Sequence, residues 1–245
     1  MTAKQLYQAG QLNEAVRALN AEVRDNPTDV QRRTFLFELL CFTGEYDRAE
    51  KQLNVLAESG QNAELGAVMY LSALHASRVR QNLFDKKDFP ATGGEDVDYP
   101  GTINGQPFQW IADADPRIGA RLELFAAGAY LWIGFEHIES IELEKPTRLR
   151  DLLWAPALVR TGPSFKEREL GEVLIPVLYP GSSGASDDAV RLGRMTTWVE
   201  QEGGDPIPLG QKCFLIDGEE FPLLEVRKVE FTRAETAPEA AAESA

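Results

Sequence analysis

Between Thr2 and about Phe84 the apolar residues recur at three- and four-residue steps, the spacing of one face of an α-helix. Phe35, Leu36, Leu39 and Leu40 form one such stripe, and Leu65, Val68, Met69, Leu71 and Leu74 mark a further helix from about Ala63 to Leu83. Past the segment DKKDFPATGGEDVDYPGTINGQP, rich in proline and glycine, the pattern changes. Short apolar runs now alternate with polar positions, as in Ile138, Ile141 and Leu143 among Glu139, Glu142 and Glu144, or Leu224, Val226 and Val229 among Glu225, Arg227 and Lys228. Alternation of this kind turns one side of a strand to a core and the other to water. RLRDLLW predicts a short helix within Leu149–Trp154, and Ser186 is the expected N-cap of another whose first turn holds Asp187 and Asp188. The expected fold is multidomain, alpha and beta: all-helical repeats over residues 1–84, a connector over 85–107, a compact β-rich α+β domain over 108–231, and a disordered acidic tail over 232–245. The boundary predicts that a fragment ending near Lys87 is soluble and helical by itself.

The helical part contains an internal repeat. GQLNEAVRALNAEVRDNPTD, from Gly10, and GEYDRAEKQLNVLAESG, from Gly44, align so that Gly10 pairs with Gly44, Leu12 with Tyr46, Ala15 with Ala49 and Leu19 with Leu53. Each pair is 34 residues apart, the tetratricopeptide period. The glycines suit tight turns between paired helices, the alanines close helix approach, and Thr28 or Asp29 after Pro27 the start of the next helix. Arrays of this kind curve, and the first helix of each unit lines the inner surface. On that register Gln31, Thr34, Glu38 and Phe42 face a groove that Leu65, Val68, Ser72 and His75 continue, a surface for a helix or extended peptide. The competing reading places Phe42, Leu65 and Val68 in the core.

Charge narrows the partners. The net charge is −14, and it sits mainly in the second part, where residues 111–231 hold 21 acidic against 13 basic side chains while residues 1–83 hold 10 and 9. Such a balance repels phosphate backbones, so no nucleic acid is expected. No run reaches the roughly 18 apolar residues of a membrane span and the N-terminus lacks the pattern of a signal peptide, which predicts a cytoplasmic protein without membrane insertion. Cys41 and Cys213 stand far apart and read as small buried hydrophobes. With two histidines, no HExxH, no glycine-rich phosphate loop and no GxSxG, no metal, cofactor or catalytic residue is indicated. Asp113 and Asp115 before Pro116 read as a strand end capped by a turn, and Gly181–Gly184 as a loop. A hydrolase built on carboxylates converging in the second domain stays open as an alternative, as does a stoichiometric structural component.

The order of four phrases resembles the ImpE family, also described as SciE-type or TagJ proteins, accessory components of bacterial type VI secretion systems. The phrases are IADADPRIG, AYLWIGFEHIESIELEKPTRLRDLLWAPA, IPVLYPGSSGASDDAVRLGRMTTW and LLEVRKVEF, and the likeness runs from Leu6 to Phe231. It implies a cytoplasmic, non-enzymatic virulence adaptor that binds the N-terminal helical region of the small contractile-sheath subunit. A link from the sheath to its disassembly ATPase would then be indirect. The resemblance carries no catalytic residues. Residues matching its phrases are Trp110, Asp113, Asp115, Arg117, Trp132 and Phe135 near the start, then Arg150, Asp151 and Trp154, then Tyr179, Gly181, Asp188, Arg191, Arg194 and Trp198. Their expected role is architectural, with arginines paired to these acids and indoles in the core. One departure, PALVRTGPSFKERELGEVLI, stands where the family often has a shorter connection.

Overall fold

The computed structural model describes residues 1–58, 61–90, 98–163, 165, 170–201 and 203–232. The expected tail from 233 onward and the centre of the longer connection, at 164 and 166–169, lie outside the described residues. Five helices come first: α1 (Ala3–Gln8), α2 (Leu12–Asp25), α3 (Val30–Phe42), α4 (Tyr46–Ala57) and α5 (Gln61–Lys86). Thr2 and Gln5 form a capping box on α1, and Asp29, not Thr28, caps α3 through the Arg32 N–H at 2.9 Å. The chain reverses at Gly10 and Gly44 with φ of 76° and 73°, backbone that a side chain would strain. Leu12, Ala15, Val16 and Leu19 on α2 and Ala49, Leu53 and Leu56 on α4 point inward, as the repeat requires.

The second part is built on an eight-stranded sheet in the order β2-β1-β13-β6-β7-β8-β4-β5, all neighbours antiparallel. Its strands are β1 (Gly101–Ile103), β2 (Gln106–Phe108), β4 (Arg121–Ala126), β5 (Ala129–Gly134), β6 (Ile138–Leu143), β7 (Trp154–Thr161), β8 (Gly171–Pro176) and β13 (Lys228–Phe231). A three-stranded sheet, β12-β11-β3, contains β3 (Ile111–Asp113), β11 (Cys213–Ile216) and β12 (Glu219–Pro222), and a ribbon pairs β9 (Thr196–Gln201) with β10 (Gly204–Gly210). The large and small sheets enclose one core, in which Ile141, Val159 and Ile175 meet Ile111 and Phe214. Sheet structure is present from Gly101, inside the expected connector, because β1 pairs with β13, the last of the described strands, a partner that no local pattern reveals. Leu149–Leu152 is a single 3-10 turn, and the short helix α6 (Asp188–Arg191) is capped by Asp187, not Ser186.

The other face of the large sheet meets the helices. Strand alternation sends Val173 and Ile175 of β8 into the sheet–sheet core, while Leu174, with Phe125 and Trp154, packs into the core of the helical repeats. Trp154 stacks on Phe37 of α3 and Tyr70 of α5, with ring centroids 6.3 and 6.0 Å away. The helical and β-rich parts thus share one hydrophobic cluster.

Candidate partner-binding site

The expected groove divides into two unlike halves. On α5, Leu65 is 68% exposed and Val68 57%, with Met69, Ser72 and His75 on the same or an adjoining face. On α3 the expectation fails at its centre: Phe42 is 1% exposed and Glu38 is buried, so neither lines an open surface. The reason is that α3 is covered on both sides, by α2 and α4 and by the sheet through Trp154, which buries every residue from Leu36 to Phe42. Gln31 is exposed and Thr34 half-buried, its hydroxyl donating to the Val30 carbonyl.

The exposed face of α5 opens onto a cleft of about 800 Å³ that spacing did not indicate. One wall is Met69, Tyr70 and Ser72, and the tip of the β4–β5 hairpin forms another. That tip, Ala127–Gly128, holds both residues at positive φ, the geometry of a tight hairpin, and a Cβ on Gly128 would stand 3.4 Å from the Ser72 Cβ. The floor is the outer face of β6, β7 and β8. Register places Leu158 directly between Glu142 and Glu172, and Pro156 beside Leu174. The cleft is thus apolar in the middle with charged side chains of both signs around it, Glu142 and Glu172 beside Leu158 and Arg148 and Arg227 elsewhere in the lining, the character of a helix-receiving groove. Met69 lies one residue from Val68 on the same stripe and was legible; Leu158 and Leu174 become neighbours of α5 only through the tertiary fold.

Several residues of the family phrases hold the helical repeats to the second part. Asp188 accepts from the Leu12 N–H at 2.7 Å, capping α2 from another part of the chain, and Arg191 donates to Asp188 and to Asn13 at 2.7 and 3.2 Å. Arg194 donates to the Tyr7 and Gln8 carbonyls at the end of α1, at 2.7 and 3.2 Å, and lies over the Tyr7 ring. The loop opening at Gly181, itself at φ 85°, brings Ser183 so near the α3–α4 turn that a Cβ on Gly44 would meet Ser183 Oγ at 2.8 Å. Arg150 lies over the Tyr70 ring and 3.9 Å from Glu38, and Asp151 accepts from the Thr147 and Arg148 N–H groups.

The expected pairing of arginines with these acids is found for Arg117 with Asp115 and for Arg191 with Asp188; Arg194 binds carbonyls instead, and Asp113 pairs with Lys212. Of the indoles, Trp154 is buried and donates to Ser77. Trp132 is half-buried among Phe84, Phe89 and the Arg121 guanidinium, and Trp110 is half-buried. Trp198 is the exception, 40% exposed on the ribbon and bonded to Glu220. Phe135 fills the sheet–sheet core, and the Tyr179 hydroxyl bonds both the carbonyl and the N–H of Cys213.

A buried ionic network missed by the sequence reading joins α5 to the sheets. Glu123 accepts from Arg80 Nε and Nη2 at 2.8 and 2.7 Å, from Lys212 at 2.6 Å and from the Tyr130 hydroxyl; Lys212 also pairs with Asp113. Burial alone would raise the Glu123 carboxyl, but the Arg80 and Lys212 cations overcome it and hold the group well below the usual range. Asp113, buried beside Lys212 and the Glu123 charge, is pushed up to about 6. Burial raises Glu38 to about 7 against the pull of Arg150. Both raised carboxyls belong to buried charge pairs rather than to the cleft, so the hydrolase alternative gains no support from them. Among the described residues, no group of three or more His, Cys, Asp or Glu is placed to hold a metal ion, and no helix is long and apolar enough to cross a membrane.

Comparison with known proteins adds a family. A model of the ImpE protein matches residues 105–230, and a tetratricopeptide repeat model matches residues 6–69. The type VI secretion system accessory component TagJ of Pseudomonas aeruginosa is 31% identical over 267 residues, covering 94% of this chain and 91% of that protein. A crystal structure of a Vibrio parahaemolyticus protein shares the fold, with a TM-score of 0.82 over 95% of this chain and 98% of that one at 23% identity.

Proposed function

The chain belongs to the ImpE family, and on that premise we propose that it is a non-enzymatic, cytoplasmic adaptor of the type VI secretion machinery that binds the N-terminal helical region of the small contractile-sheath subunit. The observation that carries the site is the exposed apolar stripe Leu65, Val68 and Met69, continuous with the cleft between α5 and the outer face of β6–β8. A helix laid there buries its apolar side on Met69, Leu158 and Leu174, and His75 and Ser72 supply polar contacts along the rim. Phe42 and Glu38 have no part in it, being buried. Through the sheath subunit the adaptor connects only indirectly to the disassembly ATPase.

The test is titration of a peptide spanning the sheath subunit's N-terminal helical region into the protein and into a Leu65→Ser, Val68→Ser, Met69→Ser variant. All three side chains are solvent-exposed, so unfolding should be unchanged while affinity falls roughly tenfold or more, the scale of losing a central apolar anchor. Full affinity in the folded triple variant would remove the site from α5.

A further inference from the structure

A second cleft, of about 490 Å³, opens where α1, α3 and the Leu149–Leu152 turn meet, and it shares Thr147 and Arg148 with the first. Its chemistry runs against that of the whole chain. The protein carries 39 acidic against 25 basic residues, yet among the described residues the charged side chains lining this cleft are Lys4 and Arg148, with no carboxylate. Lys4 and Tyr7 share a face of α1 by their three-residue spacing. Tyr7 meets Phe35 edge-on at 5.8 Å, and Leu149 and Leu152 stand half-buried among the other lining residues.

The nearby acids are already engaged. Asp151 takes the Thr147 and Arg148 N–H groups, and Glu22 takes the Ala3 N–H and the Arg32 guanidinium. Among the described residues neither Lys4 nor Arg148 belongs to a salt bridge, and the Arg148 charge acts on buried Glu38 and on the Tyr70 hydroxyl behind the cleft. Two exposed cations that form no salt bridge among the described residues thus accompany an aromatic and aliphatic cleft in an otherwise acidic protein. An acidic partner is repelled by the net charge of −14, most of it in the second part, and favoured at this cleft, so charge selects both the partner and the place.

We propose that this cleft binds a short acidic and apolar segment of a partner protein, a leucine or phenylalanine seated against Tyr7, Phe35 and Leu152 with neighbouring carboxylates on Lys4 and Arg148. The site is additional to the α5 groove and does not depend on the sheath assignment.

The probe is a blocked hexapeptide with a leucine–phenylalanine pair between two glutamates, titrated into the isotope-labelled full-length protein and followed by amide chemical shifts. A twin peptide carries glutamines in place of the glutamates. Shifts should centre on Lys4–Gln8, Phe35 and Thr147–Leu152, with affinity about fivefold or more weaker for the twin and weaker again in high salt, as expected of exposed charge pairs. Lys4→Gln with Arg148→Gln should lose the same factor. Lys4→Glu, on an exposed turn of α1, tests the charge without touching Arg148, whose charge also acts on Tyr70 and Glu38. Equal binding of the two peptides, shifts confined to Leu65–Ser72 and Leu158, or unchanged affinity in folded Lys4→Glu would each overturn the proposal.

Discussion

Replacing Glu123 with alanine should be among the most damaging single changes to this protein, because one buried carboxylate serves four donors from three separate segments. Arg80 brings two N–H groups from α5, Lys212 brings its ammonium from the segment before β11, and Tyr130 brings its hydroxyl from β5. With Glu123 gone, two buried cations face Asp113 alone. Removing one partner of a buried pair costs about 3 to 5 kcal/mol, against a total domain stability of roughly 5 to 15 kcal/mol. Arg80→Met with Glu123→Leu deletes charges of both signs and leaves the Lys212–Asp113 pair balanced, so it should recover most of that loss. Urea unfolding followed by tryptophan fluorescence and circular dichroism measures both variants, and Trp154, at the junction of helices and sheet, reports on the interface directly. A cost below about 1 kcal/mol for Glu123→Ala, or a double variant as unstable as the sum of the single ones, would show that the network is not the joint described.

Asp188→Ala removes the cap of α2 and should cost about 1 to 2 kcal/mol in the same unfolding assay, the range of a lost N-cap. A fragment ending at Lys87 should fail to unfold cooperatively, contrary to what the repeat period implies, because Phe37 and Tyr70 lose Trp154; a sharp calorimetric transition would refute this. Glu38 is raised from 4.5 to about 7, so the folded protein keeps a proton that the unfolded chain releases between those values. Stability from this group therefore falls as pH rises from about 4.5 to 7 and is level above, and Glu38→Gln should gain up to about 3 kcal/mol over the parent at pH 8 and nothing at pH 4. An equal effect at both pH values would place the cause elsewhere.

The helical repeat was legible because its determinants are local. A positive-φ glycine, a small residue five positions on and an apolar residue nine positions on recur in sequence order, and each does in the fold what its spacing implies. The inner face was not legible in the same way. A repeat register says which side of α3 would be concave in an open array, but here that side is occupied by the sheet. FLFELLCF, apolar at seven of eight positions, carried the warning: a helix apolar all round is covered all round. By that criterion Phe42 belonged to the core from the start, whereas Leu65 and Val68, flanked by Glu64, Gly66 and Ala67, did not.

The two halves of α5 show where pattern reading stops. Both carry apolar residues at three- and four-residue steps, so periodicity assigns them the same role, yet the first half exposes Leu65, Val68 and Met69 beside buried Ala67 and Tyr70 while the second buries Leu74, Ser77, Arg80 and Phe84. What separates them is the chemistry of the second half's partners. Arg80 finds Glu123, Ser77 finds the Trp154 indole, and Phe84 lies under the Arg117 guanidinium beside Trp132. Trp154, Arg117 and Trp132 lie in the family phrases, and Glu123 sits between Leu122 and Leu124, where strand alternation turns it away from the sheet–sheet core and toward the helices. A buried arginine on a helix requires a buried acid, and an acid inside an apolar strand requires a cation from outside its own sheet face. Matching those two requirements across the chain would have docked the second half of α5 on the sheet. It would also have left the Leu65, Val68 and Met69 side of the first half as the free surface.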